Sequence, residues 1–254
     1  MTTIIALVKP VPLEVPRPSK EGLVTEGIAW GLPDSERAVV ACAVAAAGVL
    51  KADLQAIALG PEPSEAGLRE ALALGAQRAV RIAPGPQGTD ALGTAKALAH
   101  AIQRLPKPWL VVAGEASTDA HQGITAAMVA ELLGADLLNG VTRVEAGPQG
   151  LVASVAHGPG IQRWGVRAPA MLVVAARGAS PAHPTSWGVG QAYERTIETV
   201  AIEDLGVPPA APLVQRTGQR RSEARRSEAE VHEGDPEEAA GQLVRRLRAG
   251  GWVA

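Results

Sequence analysis

The sequence predicts an α/β protein: a parallel sheet with helices on both faces, extended by a small antiparallel β meander and a C-terminal arm. Three observations predict it. Over residues 1–134, short apolar runs alternate four times with segments of helical periodicity. From residue 139 the pattern changes to short segments of period two separated by glycine- and proline-containing turns. After residue 205 the chain becomes proline-rich and then densely charged, which separates a domain over 1–205 from an arm over 206–254.

Residues 3–8 (TIIALV) are β-branched and apolar and form a first buried strand, stopping at Lys9-Pro10. Residues 10–33 hold five prolines and read as an extended excursion. Asp34 or Ser35 caps a long helix to about Leu50. Leu54–Leu59 is a second strand, ended by Gly60-Pro61. A helix over 64–74 places Leu68, Ala71 and Leu72 on one face and closes at Gly75. Residues 79–82 form a third strand, and 89–105 a third helix that stops before Pro106 and Pro108. A parallel sheet of this kind needs right-handed crossovers, and its ligands sit at the carboxyl ends of the strands.

The stretch 108–134 combines all three kinds of segment. Residues 109–113 are a buried strand, 114–122 a loop of small and polar residues, and a helix starts at Ile124 and stops at Gly134. Thr118, Asp119, His121 and Gln122 therefore lie near a helix N-terminus, whose free N–H groups and dipole suit a phosphate. The same residue types also serve as ordinary helix caps, so the loop alone supports both readings.

Beyond this unit, residues 141–145, 151–155 and 162–166 form the meander, and 169–175 return to a buried strand. Residues 176–193 read as a loop containing Trp187. The run QRRSEARRSEAEVHEGD over 219–235 reads as solvated. Residues 236–248 form an amphipathic helix with Pro236 near its start, acids in the first turn and arginines in the last. Lying beyond such a connector, this helix is suited to docking on a partner.

Composition narrows the functional classes. A net charge of −2 gives no general attraction to nucleic acid or anionic membrane, and with no Phe and one Tyr there is little with which to stack bases. No apolar run is long enough to span a bilayer, and the opening MTTIIALVKP lacks the basic region of a secretory signal. The single cysteine, Cys42, lies in an apolar helix and fits a reducing cytoplasm. The sequence contains no G-x-G-x-x-G after the first strand, no P-loop and no G-x-S-x-G. Its five histidines are scattered without metal-ligand spacing, and Asp119 has no acidic neighbour in its loop. These absences argue against a self-contained enzyme.

Several stretches, taken in order, resemble the beta subunit of electron-transfer flavoproteins, a group that includes the nitrogen-fixation-associated FixA-type proteins. The N-terminal AxVKxV pattern is Ala6-Leu7-Val8-Lys9-Pro10-Val11. LPDSERAVVACA is similar to the family's NP-x-x-E-x-A-V-E-x-A, keeping Pro33, Glu36, Ala38 and Val39. Residues 60–82, GPEPSEAGLREALALGAQRAVRI, resemble GP-x(5)-[LI]R-x-ALAMGADRA-[IV], and the 114–123 loop resembles LLGKQAIDDDxxQxG through Gly114, Asp119 and Gln122. APAMLV over 168–173 and the terminal EDLG and EGDPEEAAGQLVRRLR are also similar to the family.

The resemblance implies an adenine nucleotide alpha hydrolase-like, Rossmann-like fold. It also implies a heterodimer with an alpha subunit that holds most of the FAD. Such a complex carries electrons from acyl-CoA or other dehydrogenases to a membrane quinone oxidoreductase, the electron-transfer flavoprotein's acceptor. The beta subunit itself binds AMP. Carried over by position, Ala6 lies near the adenine, Leu59 and Gly60 line the pocket, and Gly114, Asp119, Gln122 and Gly123 approach ribose and phosphate. The family's loop is two residues longer, and its Asn-Gln-Thr stands here as His121-Gln122-Gly123. Thr125 and the N–H groups of Gly123 and Ile124 are the substitutes. Leu32 replaces an asparagine, Leu13 and Glu14 occupy the region of a flavin-facing aromatic residue, and 176–193 departs from the family's dehydrogenase-recognition loop. A nucleotide-binding regulatory module of the same fold, with no redox role, is the alternative. An adenylating or amidating enzyme ranks below both, because its S-G-G-x-D-S-type loop is absent after Val8.

Overall fold

The computed structural model describes residues 2–14, 17–19, 22–24, 26–85, 88–148, 150–177, 179–207, 212–214, 231 and 234–253. The charged run 219–235 falls almost wholly outside the described residues. In chain order the elements begin with strands β1 (Thr3–Leu7), β2 (Val11–Pro12), β3 (Arg17–Ser19), β4 (Gly22–Val24) and β5 (Trp30–Gly31). They continue with α1 (Asp34–Leu50), β6 (Leu54–Leu59), α2 (Glu65–Leu74), β7 (Arg78–Ala83), α3 (Ala91–Gln103), β8 (Trp109–Gly114) and α4 (Thr125–Leu133). Then follow β9 (Asp136–Gly147), β10 (Gly150–His157), β11 (Gly160–Val166), β12 (Ala170–Val174), α5 (Ser186–Tyr193), β13 (Ile197–Ala201) and α6 (Pro236–Ala249). Residues 1–217 make one compact unit and 218–254, with α6, another.

A nine-stranded sheet in the order β11-β10-β9-β12-β8-β1-β6-β7-β13 organises the larger unit. The strands from β12 to β13 are all parallel, as the apolar runs of β1, β6, β8 and β12 predict for those four. β9 joins the two regimes, pairing parallel to β12 and antiparallel to β10, so the meander extends the same sheet. Its register slips at Gly140, which takes φ +78 and is the extra residue against β12.

Strict alternation assigns the two faces. Ile4, Ala6 and Val8 point into the core shared with α1 and α2, while Ile5 and Leu7 point into the core shared with α3 and α4. The first core is mostly alanine and valine, α1 contributing Ala38, Val39, Ala43, Ala46 and Ala47, and these small side chains set the helix close against the sheet.

Four elements differ from the sequence reading. Residues 10–33 fold back on themselves, with β2 paired to β5 and β3 to β4. The Leu32 amide and the Arg37 guanidinium both bond to the Glu70 carboxylate, at 3.0 and 2.5 Å, and so pin the end of this excursion to α2. The cap of α1 is neither Asp34 nor Ser35: Pro33 holds that position with extended dihedrals and no side-chain bond. The segment 176–193 contains α5, capped by Thr185, whose hydroxyl accepts from the Gly188 N–H. Two glycines within eight residues mask its helical signal. β13, whose Ile197 and Val200 are flanked by polar residues, adds an edge strand beside β7.

Gly188 is required by close approach. A Cβ there would lie 2.4 Å from the Ala73 carbonyl oxygen of α2. Gly188→Ala is expected to push α5 off α2 and to cost about 1–3 kcal/mol in urea unfolding. An unchanged midpoint would contradict this packing.

Candidate functional site

Chain order sets where a ligand fits. From β1 the chain moves outward through β6 to β7, then returns to β8 on the opposite side of β1. The crevice at the carboxyl ends of β1 and β8 is therefore a topological switch point, where open α/β sheets bind ligands. The β8–α4 loop, residues 115–124, borders it.

That loop departs from ordinary capping. Ile124 stands at the N-cap of α4 and no side chain caps the helix. Asp119, which reads equally well as a cap in the sequence, turns instead to Lys9 at the end of β1, with Nζ 2.7 Å from Oδ1. The first-turn N–H groups of α4 are thus left for water or a ligand. The loop enters the helix through His121 at φ +52 and Gly123 at φ +67. A Cβ on Gly123 would stand 3.3 Å from the Glu115 carbonyl, so a side chain there meets both backbone strain and crowding.

A cleft of about 370 Å³ opens beside this turn. His121 and Gly123 form one wall, Ala126 of α4 another, and Val173 of β12 and Asn139 of β9 the floor. Glu115 also borders the cleft and accepts the Ala176 N–H, which ties the loop to the end of β12.

The structure places the candidate residues in two groups. Gly114, Asp119, Gln122, Gly123 and Thr125 lie on or beside the loop, with Gln122 exposed and Thr125 opening α4. Ala6 is fully buried within β1 between Ala56 and Val112, on the α1 face. Leu59 ends β6, and Gly60 follows it with its N–H on the Ile82 carbonyl. A Cβ on Gly60 would meet the Ser64 hydroxyl at 2.8 Å, so the turn needs glycine for packing as well. Of the candidates, Gly123 borders the cleft; Ala6, Leu59 and Gly60 lie away from it along the same sheet edge.

Glu36 and Lys9 complete the charge pattern. Glu36 is 4% exposed, yet its Oε2 accepts the Lys9 N–H at 3.1 Å. Its Oε1 lies 3.5 Å from where a Gly114 Cβ would be, so one carboxyl group joins α1 to the ends of β1 and β8. Burial pushes this carboxyl from an ordinary value near 4.5 to about 7. The Lys9 amide bond and ammonium oppose the shift, and the Asp119 charge reinforces it. Partial burial also pushes Asp119 upward, but the Lys9 ammonium, the Ser117 hydroxyl and the Ala120 amide outweigh it and hold the group below its ordinary value. Beside Glu36, the Ser35 hydroxyl is shielded from solvent and has no hydrogen-bond partner among the described residues. Free helix N–H groups and a glycine-containing turn suit an anionic group such as a phosphate. Cys42 is buried and its thiol is pushed up to about 11, which makes it inert as a nucleophile.

Sequence reading missed the role of Glu36, although a signal was there: it falls three, four and seven residues before Val39, Val40 and Ala43, all on the buried face. Lys9 was visible as a motif residue, while its partner across 110 positions was not.

The fold and loop together define an α/β protein with an anion-suited switch point. The family model "Electron transfer flavoprotein domain" matches residues 23–205. The chain belongs to the electron-transfer flavoprotein family. It is 26% identical to the electron transfer flavoprotein subunit beta of Thermoanaerobacterium thermosaccharolyticum, over 97% of this chain and 98% of that one. It is 30% identical to the subunit beta of Syntrophomonas wolfei, over 64% of this chain and 67% of that one. A third relative, from Mycobacterium leprae, is 27% identical over 62% of this chain, which spans 60% of the length of that protein.

The Glu36 shift has a definite sign. Between pH 4.5 and about 7 the folded state keeps a proton that the unfolded chain has released, so stability falls as pH rises through that window. The full loss is roughly 3 kcal/mol, complete above the folded value. Glu36→Gln is therefore expected to gain on the wild type in urea midpoint at pH 8 relative to pH 5. An equal difference at both pH values would contradict the assignment.

Proposed function

We propose that this chain is the beta subunit of a heterodimeric electron-transfer flavoprotein, an electron-transfer component and not itself an enzyme. An alpha subunit holds most of the FAD, which when bound supplies the redox chemistry. Electrons arrive from acyl-CoA or other dehydrogenases and leave to a membrane quinone oxidoreductase. This chain binds AMP at the carboxyl ends of β1, β6 and β8. Ala6, Leu59 and Gly60 serve the adenine end, Gly114, Asp119 and Gln122 the ribose, and Gly123, Thr125 and the α4 amides the phosphate.

The observation that carries this reading is the uncapped start of α4 beside the switch point, in a chain of this family. The charge pattern supports it, since Lys9 engages Asp119 and orients the loop without covering the helix amides. Exposed apolar residues support a partner. Leu137, Ile161 and Trp164 are exposed on β9 and β11, and Trp187 and Tyr193 on α5. The α5 pair lies in the segment that replaces the family's dehydrogenase-recognition loop, and Tyr193 is held by the Arg69 guanidinium 5.5 Å from its ring centroid. In the second unit, α6 presents Leu243 and Val244 with arginines in its last turn, which suits docking on the alpha subunit. Among the described residues no helix is long and apolar enough to cross a membrane, and we assign the protein to the cytoplasm.

Co-expression with an alpha subunit from the same source tests the proposal. The expected product is a yellow 1:1 complex that releases both FAD and AMP on denaturation. A colourless chain that does not pair would overturn it and favour the nucleotide-binding module. FAD without AMP would keep the electron-transfer role and remove the nucleotide from this chain.

A further inference from the structure

The Glu36 carboxyl group has no part in the nucleotide contacts proposed above, yet it is the buried acid at the point where β1, α1 and the β8 loop meet. Its Oε2 takes the Lys9 amide at 3.1 Å and its Oε1 lies against Gly114. From the β1 end it faces Lys9, and from the loop after β8 it faces Asp119. On its own helix, Asp34 and Arg37 are bonded to each other, and Arg37 is also held by Glu70 of α2. Glu36, Lys9 and Asp119 thus form a trio of one ammonium and two carboxylates, beside Glu115 on the same loop, whose carboxylate accepts the Ala176 N–H. With both carboxylates ionised the trio carries a net negative charge and repels an anion. With Glu36 neutral the trio balances.

We infer that Glu36 is a positioning residue that holds the phosphate loop in its anion-accepting form only while it carries a proton, so that nucleotide phosphate and proton are taken up together. The inference rests on the nucleotide reading of this loop. Protonated, Glu36 still accepts the Lys9 N–H through one oxygen, so the β1 end and α1 stay joined. Ionised, it places a second negative charge beside Asp119 and competes for the attraction of the Lys9 ammonium, which then restrains the loop less firmly. An arriving phosphate dianion adds to that repulsion and draws a proton onto Glu36. Its raised affinity for a proton, the effect of burial, brings this exchange into the neutral range.

The test is calorimetric titration of the nucleotide-free full-length chain with AMP at pH 6 and pH 8, in buffers of different ionisation heat. Glu36→Gln is compared with wild type, because glutamine keeps an acceptor for the Lys9 amide and cannot ionise. The AMP phosphate also titrates in this range, but it does so with both proteins and cancels in the ratio. From pH 6 to pH 8 the affinity of wild type relative to the variant is expected to fall about tenfold, the shift set by one group titrating near 7. Near pH 7 wild type should take up about half a proton more per AMP than the variant, since Glu36 is already half protonated there. Equal pH dependence in the two proteins would overturn the inference and leave the nucleotide reading standing. No AMP binding by either protein at either pH would overturn both. If the glutamine variant fails to fold, the infrared difference spectrum of wild type on adding AMP at pH 7 decides the matter: a gain in the protonated-carboxyl C=O band is expected, and no gain would overturn the inference.

Discussion

The pairing of β1 with both β6 and β8 is the constraint on which the rest of the molecule depends. β1 is short and buried on both faces, and its two neighbours are reached by opposite paths of the chain. That divergence leaves a crevice at its carboxyl end which no crossover helix fills. α1 rises on one face and α4 on the other, so both helix N-termini lie near the same edge of the sheet. Small side chains make this possible. Ala6, Ala38, Ala43 and Ala56 allow α1 to lie close enough for Glu36 to reach the Lys9 amide and the flank of Gly114.

Around that crevice the polar groups divide into those that fasten the scaffold and those left open. Glu70, Glu115 and Glu36 each accept backbone N–H groups and fasten loops to neighbouring elements. Asp119 is taken by Lys9. The ion pair itself is half-exposed and adds little stability, but it draws the loop acid away from α4. The Ser35 hydroxyl and the first turn of α4 remain without side-chain partners. Placing open donors next to a cation and a buried acid makes a site suited to binding and orienting an anion.

Much of this was legible in the sequence because local pattern and global fold agree. β8 and β12 are unbroken apolar runs and β6 is interrupted only by Gln55, as strands buried on both faces should be, and α1 to α4 carry clear periodicity. The loop at 115–124 stood out by its small polar residues between a strand and a helix. What was not legible depends on contacts distant in sequence. Whether Asp119 caps α4 or pairs with Lys9 is decided by the parallel pairing of β1 and β8, which no local window contains. The helix α5 was hidden because its stability comes from packing on α2 through Gly188, a residue that lowers intrinsic helix propensity. β13 was hidden because its apolar residues Ile197 and Val200 fall on opposite faces of a short edge strand, so neither a run nor an alternation marks it. Glu36 was legible in principle, as a charged residue on the apolar stripe of a helix, but its meaning depended on what the stripe was packed against.

Hydrogen exchange measured on the assembled complex, with AMP present and after its removal, tests the central claim most directly. The account predicts that AMP slows exchange in the loop 115–125 and at the carboxyl ends of β1 and β6, leaving β10 and β11 unchanged. Protection confined to other elements, or no change at the 115–125 loop, would contradict a nucleotide site at the switch point.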